Sequence, residues 1–399
     1  MENKKQRLWS GDFVLVLAIA LLSCVTCQGL NNGTPIYVAY AGGSNAFAGA
    51  LVLEFSLAAA MARIVVGRVI DDGSRRLYMA LGAVLLLAGT VGAVVLPYLQ
   101  LQVVFRAVQG AGFGAIMTAG STAAADIAPA ERLGEALGYF GLGQSLGMAV
   151  GPSLAIVLMS FSWHESLFAG MAALSACLIA LSLASSYEKH PERLAETAAF
   201  RTDVRTSRER TRFTWSNLFE KGALPGAVPM AVVCLGYAII VTYVSKYGVD
   251  NGLANPGVFF VCAAITMTAV RLFGGTLIDR TAPLALLTVP VACGIACFAL
   301  LAFTSAEVPF YIAGALFGLS MGLSFPLFNT VAVKCAPIER RGAASAMYGL
   351  ANDVGIGVGA VIWGAVIDSV GYTVSFWGGA AMLALTLVVA ALVFPRNGS

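Results

Sequence analysis

Charge is scarce in this chain. Lysine, arginine, aspartate and glutamate make up 11% of its 399 residues, against roughly 25% in soluble globular proteins. Apolar residues make up 58%, and the mean hydropathy is +0.82. So little polar surface cannot cover a folded core in water, which excludes an ordinary soluble domain. The same hydrophobicity excludes a disordered chain. A net charge of only +3, with no basic stripe, excludes a nucleic-acid binder. Histidine is nearly missing. Only His164 and His190 occur, both between apolar runs, so the clustered ligands of a metalloenzyme are not there. No G-x4-G-K-[ST] run exists, which removes ATP as an energy source. Cysteine is present but not as a framework. Cys24, Cys27, Cys177, Cys234, Cys262, Cys293 and Cys297 lie in apolar runs, and Cys335 lies at the edge of one. That placement argues against disulfides. Cys24-x-x-Cys27 lacks a second ligand pair, and Cys293-x3-Cys297 has only helical spacing, so neither reads as zinc. No metal, cofactor or enzymatic activity is expected.

What the chain does have is apolar runs. Twelve are legible, over 13–40, 47–70, 77–98, 101–125, 135–160, 166–186, 224–247, 254–278, 282–304, 309–333, 342–367 and 372–394. A bilayer needs about 20 such residues per helix. The runs do not alternate polar and apolar, which argues against a barrel. In hydrocarbon each backbone amide must bond within its own segment, so the runs are expected to be helices. The basic start MENKKQRLWSGD leads into a run too long for a signal sequence, so the first helix is expected to be retained.

Lysine and arginine set the orientation. Among them are Lys4, Lys5, Arg7, Arg75, Arg76, Arg340, Arg341 and eight between Lys189 and Lys221. All but Lys246 and the intraspan Arg106 fall on one side. Both termini are therefore expected in the cytoplasm, and the charge bias suits a bacterial inner membrane. The one long polar stretch, from about Tyr187 to Lys221, divides the spans into six and six. It reads either as an amphipathic segment on the inner surface or as a solvated linker. The expected organisation is a six-helix bundle over 1–187, a cytoplasmic linker over 188–222, and a second bundle over 223–399.

The two halves repeat at an offset of 208 residues. Arg63, Gly67 and Asp71 are matched by Arg271, Gly275 and Asp279. Ala128-Pro129-Ala130-Glu131-Arg132 is matched by Ala336-Pro337-Ile338-Glu339-Arg340. Gly134, Gly147 and Gly151 are matched by Gly342, Gly355 and Gly359. The chain thus reads as a tandem duplication. An even number of helices per copy makes the copies parallel repeats.

These residues resemble the major facilitator superfamily over nearly the whole chain. The family's inner-loop signature is similar to Gly67-Arg-Val-Ile-Asp71-Asp72-Gly73-Ser74-Arg75-Arg76, with Asp72 and Ser74 departing from the pattern. Arg106-Ala-Val-Gln109-Gly110-Ala-Gly112-Phe-Gly114 resembles the signature of proton-coupled members. Gly143-x3-Gly147-x3-Gly151-Pro152 resembles the antiporter signature, which would continue to Gly-Gly where this chain has Ala155-Ile156. The resemblance to the twelve-helix drug:proton antiporters implies an all-α fold of two pseudo-symmetric six-helix bundles. It also implies export of a small molecule against an inward proton flow, with spans 1, 4, 7 and 10 lining a central cavity. Import of a sugar or organic anion by symport or facilitation stays open, as does a sensor that keeps the fold without transport.

Individual residues then take expected roles. Arg63, Gly67 and Asp71 share one helix face. Asp71 can meet the positive N-terminal end of span 11, and Arg75 and Arg76 can pair with Asp126. With Arg271, Gly275 and Asp279 they form the expected cytoplasmic gate. Only Glu54 and Asp353 are acids well inside spans, where an ionised group costs at least about 2.5 kcal/mol. Asp353 is roughly 16 Å into span 11 from Gly342 at about 1.5 Å per residue. A carboxylate there has a raised proton affinity, so Asp353 first and Glu54 second are the expected proton carriers. Arg106 pairs with Glu54 or faces the cavity alone. Gln28, Asn31, Asn32, Arg106, Gln109, Tyr237, Tyr243, Asn329 and Asn352 are the expected substrate contacts, each equally able to bond between helices. Gly143, Gly147, Gly151, Pro152, Gly355 and Gly359 form small-residue packing faces. The partners expected are a small molecule, protons and lipid, with the chain acting as a monomer.

Overall fold

A computed structural model describes residues 8–70, 74–129, 132–161, 163, 165–186, 220–273, 283–303, 306–337 and 341–394. Asp71, Gly275, Asp279 and nearly all of the expected linker lie outside the described residues, as does the side chain of Arg271. Twelve α-helices are described: α1 (Gly11–Tyr40), α2 (Asn45–Val69), α3 (Arg75–Val95), α4 (Gln102–Ile127), α5 (Leu133–Met159), α6 (Ser166–Ala184), α7 (Leu224–Asp250), α8 (Val258–Phe273), α9 (Pro283–Phe303), α10 (Glu307–Lys334), α11 (Arg341–Val370) and α12 (Tyr372–Val393). They follow the twelve apolar runs, and there is no strand among the described residues. Ten are long and apolar enough to cross a membrane. The described part of α8 is 16 residues long. α4 falls below the mark because Gln102, Arg106, Gln109 and Asp126 interrupt its apolar sequence. The protein is a multi-pass, all-helical membrane protein.

Helix ends follow local rules. Ser74 caps α3 by accepting the Leu77 amide at 3.2 Å. Gly371 alone separates α11 from α12 and has φ +86°, a left-handed value that glycine adopts without a side-chain clash.

Compactness divides the chain differently from its repeat. One unit comprises residues 1–28, 58–148 and 168–213, and the other 29–57, 149–167 and 214–399. α1, α2 and α5 are each shared between the two units, and α6 leaves its first two residues in the second. The end of α1, the start of α2 and the end of α5 belong with α7–α12.

Each unit keeps the same helix contacts at the repeat offset. In the first unit a Cβ on Gly112 would lie 2.5 Å from the Gly82 carbonyl oxygen, so α3 and α4 touch through their backbones. The matching residues in the second unit, 208 positions on, are Pro290 and Ser320, and the Ser320 hydroxyl donates to the Pro290 carbonyl. Gly114 presses on Ala59 as Gly322 presses on Met267. Gly147 abuts Cys24 on α1, and Gly355 abuts Ala231 and Cys234 on α7. Small residues at these crossings bring the backbones together, which is how helices gain packing energy where lipid offers no hydrophobic drive.

Candidate functional site

α4 carries a buried polar face in the first unit. Gln102, Arg106 and Gln109 follow at helical spacing, and all three are 0% exposed. Arg106 Nη1 donates to Gln109 Oε1 at 3.1 Å. Both amide atoms of Gln102, and Nε2 of Gln109, are buried without a hydrogen-bond partner among the described residues. Spacings of four and three residues put the three side chains on one face of α4. The repeat replaces it in the second unit. Positions 208 residues on are Phe310, Gly314 and Phe317, and the last stacks edge-on against Tyr237 at 5.1 Å. The two copies therefore differ here, with a buried cation in one and an aromatic cluster in the other.

At the ends of α3 and α4 the first unit holds a second charge cluster. Arg75 Nε lies 3.2 Å from Asp126 Oδ2, with both side chains buried. This is an ion pair without a linear hydrogen bond between those two atoms. Arg76 departs from expectation. Its guanidinium donates to the Leu183 carbonyl at the end of α6. On the loop before α5, Arg132 forms a two-pronged bond to Glu135, at 2.7 Å for each nitrogen. The Glu135 carboxylate raises the proton affinity of Arg132 above the ordinary guanidinium value. Arg63 is half-buried on α2. A Cβ on Gly67 would meet nothing within 4 Å among the described residues.

The acids expected inside spans fall in the second unit. Asp353 on α11 is half-buried, and Asn352 Nδ2 donates to its Oδ1 at 3.3 Å. Cys234 Sγ on α7 donates to Asn352 Oδ1 at 3.1 Å. Glu54 is half-buried on α2 and makes no ion pair among the described residues.

The remaining expected substrate contacts divide into two sets. Gln28 and Asn329 are half-buried, and Asn329 Oδ1 is an inaccessible atom without a partner among the described residues. Asn31 is buried. Asn32 accepts from the Ser245 hydroxyl at 3.1 Å, which ties α1 to α7. Tyr237 is fully buried, bonded to Ser320 and held between Phe298 and Phe317. Tyr243 Oη lies within bonding distance of two carbonyls, Asn45 O at 2.9 Å and Ala360 O at 2.7 Å. Both tyrosine hydroxyls are thus occupied by helix–helix bonds in this structure. The packing glycines Gly147, Gly355 and Gly359 sit against α1 or α7 at backbone-contact range. Gly143 makes ordinary contact, and Pro152 lies inside α5.

Sequence reasoning missed the cluster around Asp368. Its carboxylate accepts from Asn45 N at 3.1 Å, Asn45 Nδ2 at 2.7 Å and Ala46 N at 2.8 Å. The signal was present as an acid at the end of one apolar run and an asparagine at the start of another. Only their meeting gives either one meaning. Lys246, the lone cation on its side of the charge map, is likewise engaged. It bonds to Asp250 at 2.6 Å and lies near the Tyr372 hydroxyl.

Comparison with known proteins bears on the whole chain. The Major Facilitator Superfamily pattern matches residues 16–357 and again 292–399. An uncharacterised MFS-type transporter of Methanocaldococcus jannaschii is 24% identical over 371 residues, covering 89% of this chain and 92% of the relative. The uncharacterised MFS-type transporter YvkA of Bacillus subtilis is 31% identical over 144 residues, or 35% of this chain and 32% of the relative. That match thus spans about a third of YvkA. Multidrug resistance protein 3 of the same organism is 32% identical over 101 residues, covering 25% of this chain and 20% of the relative. Among solved structures, a D-xylose-proton symporter superposes with a TM-score of 0.75 at 15% identity, covering 96% of this chain and 98% of the other. The nucleoside transporter NupG superposes at 0.69 and 14%, covering 97% and 100%. These last two likenesses concern the fold. With the family pattern, the twelve helices and the repeated helix crossings in agreement, the chain belongs to the Major Facilitator Superfamily.

Proposed function

We propose that the chain exports a small molecule across the cytoplasmic membrane in exchange for protons, by alternating access. Lysine and arginine place both termini in the cytoplasm, so the turn between α1 and α2 faces outward. The observation that carries proton coupling is Asp353. It is a half-buried carboxylate in mid-span, beside the amide of Asn352. A carboxylate at that depth can take up a proton from one side of the membrane and give it up to the other. Substrate and proton then compete for α11, with Glu54 as the second carrier. The buried cation Arg106 supplies the opposite charge that a carboxylate or an anionic group on the substrate can meet. Arg63, Gly67, Asp71, Arg75, Arg76 and Asp126, with Arg271, Gly275 and Asp279, form the cytoplasmic gate. The local likeness to Multidrug resistance protein 3 supports export.

A second reading is import by proton symport. The fold serves that direction equally well, since a D-xylose-proton symporter and the nucleoside transporter NupG share it. The same assay separates the two. Proton release is measured on adding lipophilic cations, siderophore-like chelates, sugars or nucleosides to detergent-solubilised wild type, Asp353→Asn and Glu54→Gln. Release by wild type that is lost in Asp353→Asn is the expected outcome for export. Proton uptake on solute binding supports symport. Binding with no proton movement, equal in all three proteins, overturns coupling altogether.

A further inference from the structure

Within the second unit, α2 and α11 meet along an antiparallel seam of small residues. A Cβ on Gly364 would lie 2.4 Å from the Asn45 carbonyl oxygen, and one on Gly49 would lie 2.3 Å from the Ala360 carbonyl oxygen. A Cβ on Gly357 would lie 2.8 Å from Leu53. Numbers rise along α2 as they fall along α11, so the seam runs for about two turns of each helix. Any side chain at Gly49 or Gly364 would push the backbones apart.

The seam ends in a helix cap made from the other helix. The first four amides of a helix have no partner within it. In α2, Phe47 N donates to Ser44 Oγ at 3.1 Å, and Ala48 N donates to the Ser44 carbonyl at 3.1 Å. The other two, on Asn45 and Ala46, donate to the two oxygens of Asp368. The Asn45 side chain adds a third bond at 2.7 Å. The negative carboxylate also sits at the positive end of the α2 dipole. The Tyr243 hydroxyl reaches both Asn45 O and Ala360 O, bringing α7 to the same point. Asp368 itself is exposed. Water can therefore replace its bonds, and the cap can be undone repeatedly.

We propose that Asp368 is a releasable latch. Its carboxylate closes this side of the transporter by capping α2, and loss of that cap lets α2 and α11 part on this side in each cycle. The proposal rests on the alternating-access reading above. It adds a named bond whose breaking accompanies opening.

A contact elsewhere on the same side serves as reporter. The Ser153 hydroxyl on α5 donates to the Gly257 carbonyl at 3.1 Å, and a Cβ on Gly257 would lie 2.8 Å from the Ser153 Cα and 3.0 Å from its Cβ, so a cysteine there needs a small shift and every rate is compared with that of the cysteine pair alone. The full chain carrying Ser153→Cys and Gly257→Cys is oxidised in membranes, then cut at a protease site inserted between positions 188 and 222. Cross-linked chains stay in one piece. The chain without the added cysteine pair measures background from the native thiols. Adding Asp368→Ala is expected to slow cross-linking about fivefold, the scale of a lost helix cap. Asp368→Asn, which keeps one acceptor oxygen, is expected to fall between. Asn45→Asp sets two carboxylates face to face and is expected to slow cross-linking as well. It keeps the test decisive if Asp368→Ala does not fold. Cross-linking at the wild-type rate in Asp368→Ala, or in Asn45→Asp where only that variant folds, overturns the latch. The reporter needs no substrate. Slowed cross-linking without proton-coupled transport would keep the latch and sink the export reading. Intact coupled transport with unslowed cross-linking would sink the latch alone.

Discussion

One helix, α2, has a glycine near each end, and the two glycines meet opposite surroundings. Gly49 faces the Ala360 carbonyl at a distance that admits no side chain, four residues from a start capped by Asp368. Gly67 faces nothing within 4 Å among the described residues. A glycine inside a helix costs about 1 kcal/mol relative to alanine. At Gly49 a close backbone contact offsets that cost. At Gly67 no contact among the described residues does. The same contrast holds for the charges nearby. At the Gly49 end, Asp368 bonds from one helix of the seam to the other. At the Gly67 end, Arg75 and Asp126 pair within a single unit. The difference teaches that the start of α2 is held by close backbone contact and a cap, and that no such contact reaches Gly67 among the described residues.

Three measurements would break or sharpen this contrast, all read by the cross-link between positions 153 and 257. The largest effect is expected from valine at the two glycines. Gly49→Val should slow cross-linking about tenfold, because overpacking costs about 1–3 kcal/mol, whereas Gly67→Val should leave it unchanged or faster. Equal slowing by both would erase the distinction between the ends. Next comes Asp71, the carboxylate proposed to meet the start of α11 on the cytoplasmic side. Asp71→Asn should speed cross-linking about threefold, within the range of a charge at a helix terminus, while Asp368→Asn slows it. Changes of the same sign would show that the two carboxylates do not oppose each other. The smallest effect belongs to Tyr243→Phe. Losing one interhelical hydrogen bond in a membrane costs about 0.6 kcal/mol, so the most slowing expected is just under about threefold. A tenfold effect would make Tyr243, rather than Asp368, the main tie at this end.

Much of this was legible beforehand, because bilayer physics acts on sequence directly. Backbone groups must be satisfied within each span, so twelve apolar runs became twelve helices with ends shifted by a few residues. α8 is described only to Phe273, short of its expected end. The offset of 208 residues also carried through to helix crossings such as Gly114 on Ala59 and Gly322 on Met267. Side-chain partners were less legible. Arg75 meets Asp126, but Arg76, its neighbour in sequence, turns to the Leu183 carbonyl. Tyr237 and Tyr243 lie at cavity depth by residue count, yet each hydroxyl is bound to another helix. Adjacent positions on a helix point about 100° apart, so hydropathy alone cannot say which of them faces a neighbour.

The sequence by itself determined the solvent, the helices, the duplication and the charge asymmetry, since each depends on which residues stand at which spacing along the chain. Only the tertiary structure decided that compact units cut across the repeat, and that α1, α2 and α5 each divide between them. It also decided that Asp368 serves a helix 323 positions away. The physical reason is that a helix cap needs two ends brought within about 3 Å. Which ends come that close depends on how whole helices pack, and no local pattern of residues contains that information.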